Sequence, residues 1–347
     1  MRHRPRADTS IPGALVLLAA FVGLVFMVSL TVGGGDYGLR ASLAYLTGRA
    51  PPDTAADIAR IVTTLRLPRA TAGLLVGGAL GLAGWLLQTA TRNPLAEPGI
   101  LGINAGAATA VVLGISLFGL NSGAGYLSAA FLGAASACAL VLLLAHLGGT
   151  VTPLRLILAG AAIGASLYGV TAVMLTTHQL AFDEYRFWIQ GALVGASPSM
   201  MASVLPGLIG ALAGGVMLAR PLSALTLGDR AARALGHRPA WIRLAVVGVV
   251  ALASASAVAL AGPIAFIGLL APHVARWLIG RRPIAEVSAS ILAGAGLVLL
   301  ADIIARRILA PYEAPVSAVV ALLGAPAMIA IVRGRRSRPC STTGSGF

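Results

Sequence analysis

Residues 69–90 read RATAGLLVGGALGLAGWLLQTA, and the length and character of this run decide the class of fold. After Arg69 it holds no ionisable side chain, and about 20 apolar residues are what a helix needs to cross the hydrocarbon core of a bilayer. Gly73, Gly77 and Gly81 recur at every fourth position and so share one helix face. Small residues in that pattern let helix backbones approach closely where lipid supplies no hydrophobic driving force. The run is therefore read as a membrane-spanning helix packed inside a bundle rather than as a seam between two copies of the chain.

Runs of the same kind repeat on either side. Ile11 to Gly33, Arg69 to Ala90, Gly102 to Phe118, Ala124 to Leu147, Arg155 to Thr177, Ala202 to Ala219, Trp241 to Ala261, Ile264 to Gly280, Ala285 to Ala305 and Pro315 to Val332 give about ten predicted spans. The fold expected is all-α, a polytopic transmembrane bundle without a soluble module. Composition agrees: of 347 residues, 58% are hydrophobic and 10% charged, with mean hydropathy +0.90, whereas a soluble domain carries about 25% charged residues. The first run is too long for the apolar region of a signal peptide and lacks a small-residue cleavage site, so it is read as the first span.

The formal net charge of +14 is carried by Arg alone, since the chain contains no Lys. The arginines lie in short clusters between spans instead of on one continuous face, which argues against nucleic acid as a partner. An even number of spans puts both ends on one side, and the positive-inside rule makes that side cytoplasmic. It then holds the N-terminal Arg2, Arg4 and Arg6, the internal Arg92 and Arg155, and the run Arg220, Arg230, Arg233, Arg238 and Arg243. The pair Arg281 and Arg282 and the C-terminal Arg333, Arg335, Arg336 and Arg338 fall on the same side. The implied organisation is a cytoplasmic tail at 1–10, a membrane domain at 11–332 with a cytoplasmic connection at 220–240, and a cytoplasmic tail at 333–347. The opposite face receives Asp36, Asp53, Asp57, Asp183, Glu184 and Glu313 and, against the rule, Arg66, Arg69, Arg306 and Arg307.

Two stretches are interrupted alike. The apolar run from Arg69 to Leu101 is broken at Asn93-Pro94 and Glu97-Pro98-Gly99, and that from Trp241 to Leu270 at Gly262-Pro263. With the topology above, the first break faces the cytoplasm and the second faces outward. Broken helices in inverted halves are a transporter feature, with the freed backbone lining a cavity.

Catalytic signatures are missing. A phosphate-binding loop requires a lysine, and the chain has none. HExxH, GxSxG and paired-cysteine zinc spacings do not occur either, and the cysteines Cys138 and Cys340 have no ligand spacing or evident disulfide partner. A proton-driven carrier would bury carboxylates or histidines as a relay. Here His146, His178 and His273 fall near span ends, and Asp302 lies one turn before Arg306. The energy source is accordingly expected on another chain. The connection between spans six and seven supports this, because Gly228, Asp229, Arg230, Ala231, Arg233, Ala234, Leu235 and Gly236 form a short helix signal. Asp229 stands near its start, Gly236 at its stop and Ala231, Ala234 and Leu235 on an apolar stripe. Such a helix either docks in a groove of a partner or lies on anionic lipid.

Four segments resemble a known family. They read RLPR at 66–69, TRNPLAEPGILGINAGA at 91–107, GPIAFIGLLAPHVARWL at 262–278 and LLGAP at 322–326. In these stretches, and in a likeness running from about Ile11 to Val332, the chain resembles the FecCD-type permeases of ATP-binding-cassette importers for iron siderophores, haem and vitamin B12. Thr71 to Gly114 and Arg186 to Trp188 stand nearest the siderophore branch, with a ferric catecholate as the implied cargo. Haem or cobalamin import is the alternative within the family, and a proton-coupled carrier the alternative outside it.

The resemblance implies a ten-helix subunit of a type II importer in the inner membrane, paired with a second permease subunit that is not identical to it. It further implies two cytoplasmic ATPases that hold ATP and Mg²⁺, an extracytoplasmic substrate-binding protein, and no cofactor or metal on this chain. By the same resemblance Arg66, Arg69 and Arg306 are outward arginines that receive acidic residues of the binding protein. The 229–236 segment is the coupling helix for the ATPase, and Asn93, Pro94 and Leu95 form a cytoplasmic gate; Asn-Pro also favours a plain tight turn.

Overall fold

A computed structural model of the chain describes residues 11–33, 37–147, 152–280, 282–309 and 312–336. Both outer tails, with Asp36, Arg281, Arg338 and Cys340, lie outside the described residues, as do the side chains of Glu184, Arg333, Arg335 and Arg336. The chain begins with α1 (Ile11–Thr31), α2 (Leu39–Leu46) and α3 (Pro52–Arg60), followed by a π-helical segment (Ile61–Arg66) that leads into α4 (Leu67–Thr91). A short 3₁₀ turn (Pro98–Leu101) precedes α5 (Ile103–Phe118), α6 (Gly123–Leu147), α7 (Pro153–Thr177) and α8 (Gln179–Trp188). Then come α9 (Pro198–Thr226), α10 (Asp229–Ala234), α11 (Pro239–Ala261), α12 (Ile267–Ile279), α13 (Pro283–Ile308) and α14 (Val316–Arg336).

Among the described residues seven helices are long and apolar enough to cross a membrane, and the apolar stretches 103–118, 267–279 and 316–329 are shorter. Together they correspond one for one to the ten predicted spans. The second differs most in extent: the helix is continuous from Pro52 to Thr91, 40 residues, instead of starting at Arg69. Pro68 lacks an N–H and its ring crowds the carbonyl four residues earlier. The π-helical turn ending at Arg66 widens the helix just there and carries it past the proline. The last span also continues past Val332, to Arg336.

Helix α4 is the centre of the molecule, packed against α13, α11, α12 and α9 and buried along most of its length. The glycine stripe is used as predicted, for packing within the chain. A Cβ added at Gly77 would overlap the carbonyl of Gly294, one at Gly81 that of Ser290, and one at Gly84 that of Gly268. Helix α13 thus runs antiparallel to α4 in backbone contact, and Gly84 extends the contact to the start of α12. Most of the surface of α7 and α9 is left uncovered by the rest of the chain, so those helices face lipid or another subunit.

The two breaks in the helices meet inside the bundle. From the end of α11, Gly262 lies beside Trp188 and Gly191, and the chain 262–266 then turns inward. Helix α12 begins with Gly268 against Gly84, in the second half of α4, and Pro98 lies against that same Gly268. Irregular backbone at this depth is tolerated because protein rather than lipid surrounds it.

Candidate functional site

Among the described residues three assemblies of charged and polar side chains stand out, one at each end of the bundle and one between. At the end where α4 starts, Arg66 donates to the carbonyls of Leu30 and Thr31 (both 3.2 Å), to Ser42 Oγ (2.6 Å) and to the carbonyl of Tyr37 (2.8 Å). Arg306 of α13 donates to the carbonyls of Ser29 (3.0 Å) and Val32 (2.7 Å) and to Ser29 Oγ (2.6 Å). Both guanidinium groups therefore close the C-terminal end of α1, whose last carbonyls have no helical donor and whose dipole favours a cation. Arg69 pairs with Asp302 (2.7 Å) and Glu313 (2.6 Å), and Arg306 pairs with the other Asp302 oxygen (2.8 Å).

Of the three arginines expected to meet a binding protein, Arg66 and Arg306 are held inside the bundle, and Arg69 is paired with two carboxylates. Arg66 is 6% and Arg306 2% exposed, and their donors serve α1. The C-terminus of α1 calls for positive charge at this end of the bundle, and so does the buried carboxylate of Asp302. All three arginines line a cleft of ≈ 540 Å³, together with Tyr37, Leu193 and Glu313.

In the middle, Glu97 Oε1 accepts the backbone N–H of Phe266 (2.5 Å). Phe266 is the N-cap of α12 and stands at φ 67, a left-handed conformation rare for a non-glycine residue. No side chain within α12 caps the helix, so Glu97 supplies an acceptor where the orphan N–H groups of a helix start are exposed. Pro272 cannot donate to the carbonyl of Gly268, and the Gln88 amide of α4 donates to it instead, and to that of Leu269, at 3.2 Å each. Arg276 donates to the Gln88 amide oxygen and pairs with Glu286 at 3.0 Å. His273 is hydrogen bonded to the Leu269 carbonyl at 2.8 Å. Sequence reading left Gln88, Glu97, Arg276 and Glu286 without roles. For Arg276 and Glu286 a usable signal was present, since ionisable residues within apolar spans are rare and placed for a purpose.

At the far end, α10 occupies the predicted coupling segment. Its stop is a Schellman motif: His237 N–H bonds the Ala232 carbonyl (2.9 Å), Gly236 N–H bonds that of Arg233 (3.0 Å), and Gly236 sits at φ 82. Ala232, outside the predicted stripe, is the buried anchor, whereas Arg230, Arg233, Ala234 and Leu235 (61%) are exposed and Ala231 is half-buried. Asp229 accepts from Arg243 at 2.8 Å and from Arg92 at 3.2 Å. Beside it Asn93 Oδ1 accepts Leu95 N–H (3.0 Å) and the Asn93 carbonyl accepts Ala96 N–H (3.1 Å). The segment from Asn93 through Pro94 is thus a tight Asx-type turn that presents Leu95, 48% exposed, at its tip.

A bundle of spanning helices with two broken helices meeting in its interior defines a membrane transport permease. The chain belongs to the FecCD transport family, whose pattern it matches over residues 19–334. It is 42% identical to the ferric enterobactin transport system permease protein of Escherichia coli (strain K12), over 95% of this chain and 96% of that one. It is 37% identical to the Fe(3+) dicitrate transport system permease protein of the same organism, over 94% and 96%. Likeness to the Fe(3+)-citrate import system permease protein of Bacillus subtilis (strain 168) is 35%, over 93% and 94%. Among solved structures, a metal-chelate type ABC transporter in an inward-facing conformation superposes with a TM-score of 0.82 at 27% identity, covering 93% of this chain and 99% of that one. The family and fold expected from the sequence are both borne out.

Proposed function

We propose that this permease is the membrane subunit of an ATP-driven importer that moves a ferric siderophore, a ferric catecholate first, from an extracytoplasmic binding protein into the cytoplasm. The observation that carries this reading is 42% identity, sustained over 95% of the chain, to a ferric enterobactin permease. In this reading the Asp229 end, both tails and the 220–240 connection are cytoplasmic, and the exposed Arg230, Arg233, Ala234 and Leu235 face of α10 enters a groove on one of two ATPases. ATP and Mg²⁺ belong to those ATPases. The Asn93, Pro94 and Leu95 turn closes the cytoplasmic side of the pathway, and a second, non-identical permease subunit completes its wall. The binding protein docks over the cleft at the opposite end, where Arg69 and Glu313 meet solvent and Arg66 and Arg306 hold the cleft wall on α1.

The test is uptake of radiolabelled iron, presented on catecholate, hydroxamate and citrate carriers, by a strain lacking this chain and by the same strain with the chain restored. Restored uptake of ferric catecholate, blocked by vanadate and persisting with an uncoupler, is expected. Equal uptake of every iron source in both strains rejects the substrate, and uptake abolished by the uncoupler alone points to a proton-coupled carrier. Restored uptake of haem or cobalamin in place of iron chelates reassigns the cargo.

A further inference from the structure

The turn at 92–97 is held by side-chain hydrogen bonds at both of its ends. Arg92 is the C-cap of α4, at φ 52. Its guanidinium donates to the Leu225 carbonyl at the end of α9 and to Asp229 Oδ1 at the start of α10. Five residues on, Glu97 accepts the Phe266 N–H at the start of α12. Asn93, Pro94 and Leu95 lie between these two anchors, and internal bonds make the turn compact.

Such a turn cannot follow a displacement of α10 passively. Its first residue is tied to α10, its last to a half-helix that Gln88, Arg276 and Glu286 fasten to α4 and α13. A shift of α10 therefore pulls the Arg92 end while the Glu97 end stays with the bundle, and the tip at Leu95 must swing. Asp229 has a second cation, Arg243 of α11, which keeps α10 in place on its own chain without touching the turn.

Building on the docking role proposed for α10, we infer that Arg92 is a positioning residue that transmits motion of α10 to the turn at 93–95 through Asp229 and the Leu225 carbonyl, with Glu97 as the fixed pivot. Arg92 and Asp229 are both partly solvent-exposed, 44% and 35%, so the pair adds little to folding. Its consequence lies in coupling. Energetic links of this kind change coupling by roughly 2- to 30-fold when one member is removed.

The experiment uses the full complex, permeases with ATPases, in proteoliposomes, with Cys138 and Cys340 replaced and a spin label on Leu95→Cys. Three measurements are made on Arg92→Ala and on Arg243→Ala: ATPase retention on purification, substrate moved per ATP hydrolysed, and the shift of the label when vanadate traps nucleotide. Arg92→Ala is expected to retain the ATPase and its hydrolysis, to lower transport per ATP by roughly 2- to 30-fold, and to lose the label shift. Arg243→Ala is expected to keep the shift. Equal loss of the shift in both variants, or an unchanged shift in Arg92→Ala, overturns the inference. Loss of the ATPase from Arg92→Ala overturns it in a different way, by making Arg92 part of the docking surface. Failure of the unmodified complex to retain an ATPase at all rejects the docking proposal beneath it, an outcome the retention assay reports separately.

Discussion

Replacing Asp302 with Ala should be among the most damaging single changes in the chain. Its carboxylate is fully buried and lies between two cations, Arg69 at 2.7 Å and Arg306 at 2.8 Å. Removing one member of a buried ion pair costs about 3–5 kcal/mol, because the charge left behind has no compensation. Arg69 retains Glu313 at 2.6 Å, but Arg306 keeps only neutral acceptors, those at the C-terminal end of α1 and the residue 302 carbonyl, and faces Arg69 without the intervening carboxylate. At about 2 °C per kcal/mol for a chain of this size, the melting temperature should fall by roughly 6–10 °C. The assay is thermal unfolding of the purified protein in nanodiscs, with Glu313→Gln as the comparison. Glu313 is 34% exposed, so its loss should cost no more than about 1 kcal/mol. A melting temperature for Asp302→Ala within the error of the Glu313→Gln value would falsify the account of this end of the bundle.

Arg66→Glu should lower membrane abundance rather than weaken binding-protein capture selectively, because it places a carboxylate among the carbonyls that end α1; quantitative blotting of membranes separates the two outcomes. Gly84→Ala should prevent stable assembly, since the added carbon overlaps the Gly268 carbonyl, whereas Gly248→Ala, with open space around it, should be neutral or gain up to about 1 kcal/mol, read as melting temperature. Leu235→Asp, at an exposed position, should leave melting unchanged and reduce co-purification of the ATPase; unchanged co-purification removes α10 from the docking surface. Arg276→Ala removes the 3.0 Å pair with Glu286 and the donor to the Gln88 amide oxygen and should destabilise by about 1.5–3 kcal/mol, with Arg276→Lys recovering part of the loss.

Much of this protein is legible in its sequence. Hydrocarbon thickness favours apolar runs of a characteristic length, so each of the ten runs has its helix among the described residues, seven of them long and apolar enough to cross a membrane, and the Gly73, Gly77 and Gly81 stripe announced a backbone contact before its partner was known. The stop of α10 at Gly236 was local chemistry of the same kind. The sequence could not state which groups compensate one another across the bundle. Arg66 and Arg306 look like exposed rim charges until α1 brings its unsatisfied carbonyls to them, from 36 and 277 residues away. Glu97 and Phe266 are 169 residues apart, and neither residue's surroundings predict a bond between them. The limit has a physical cause: apolar length is a property of one segment facing lipid, whereas burial and charge compensation belong to pairs of segments and exist only once α4, α12 and α13 have packed.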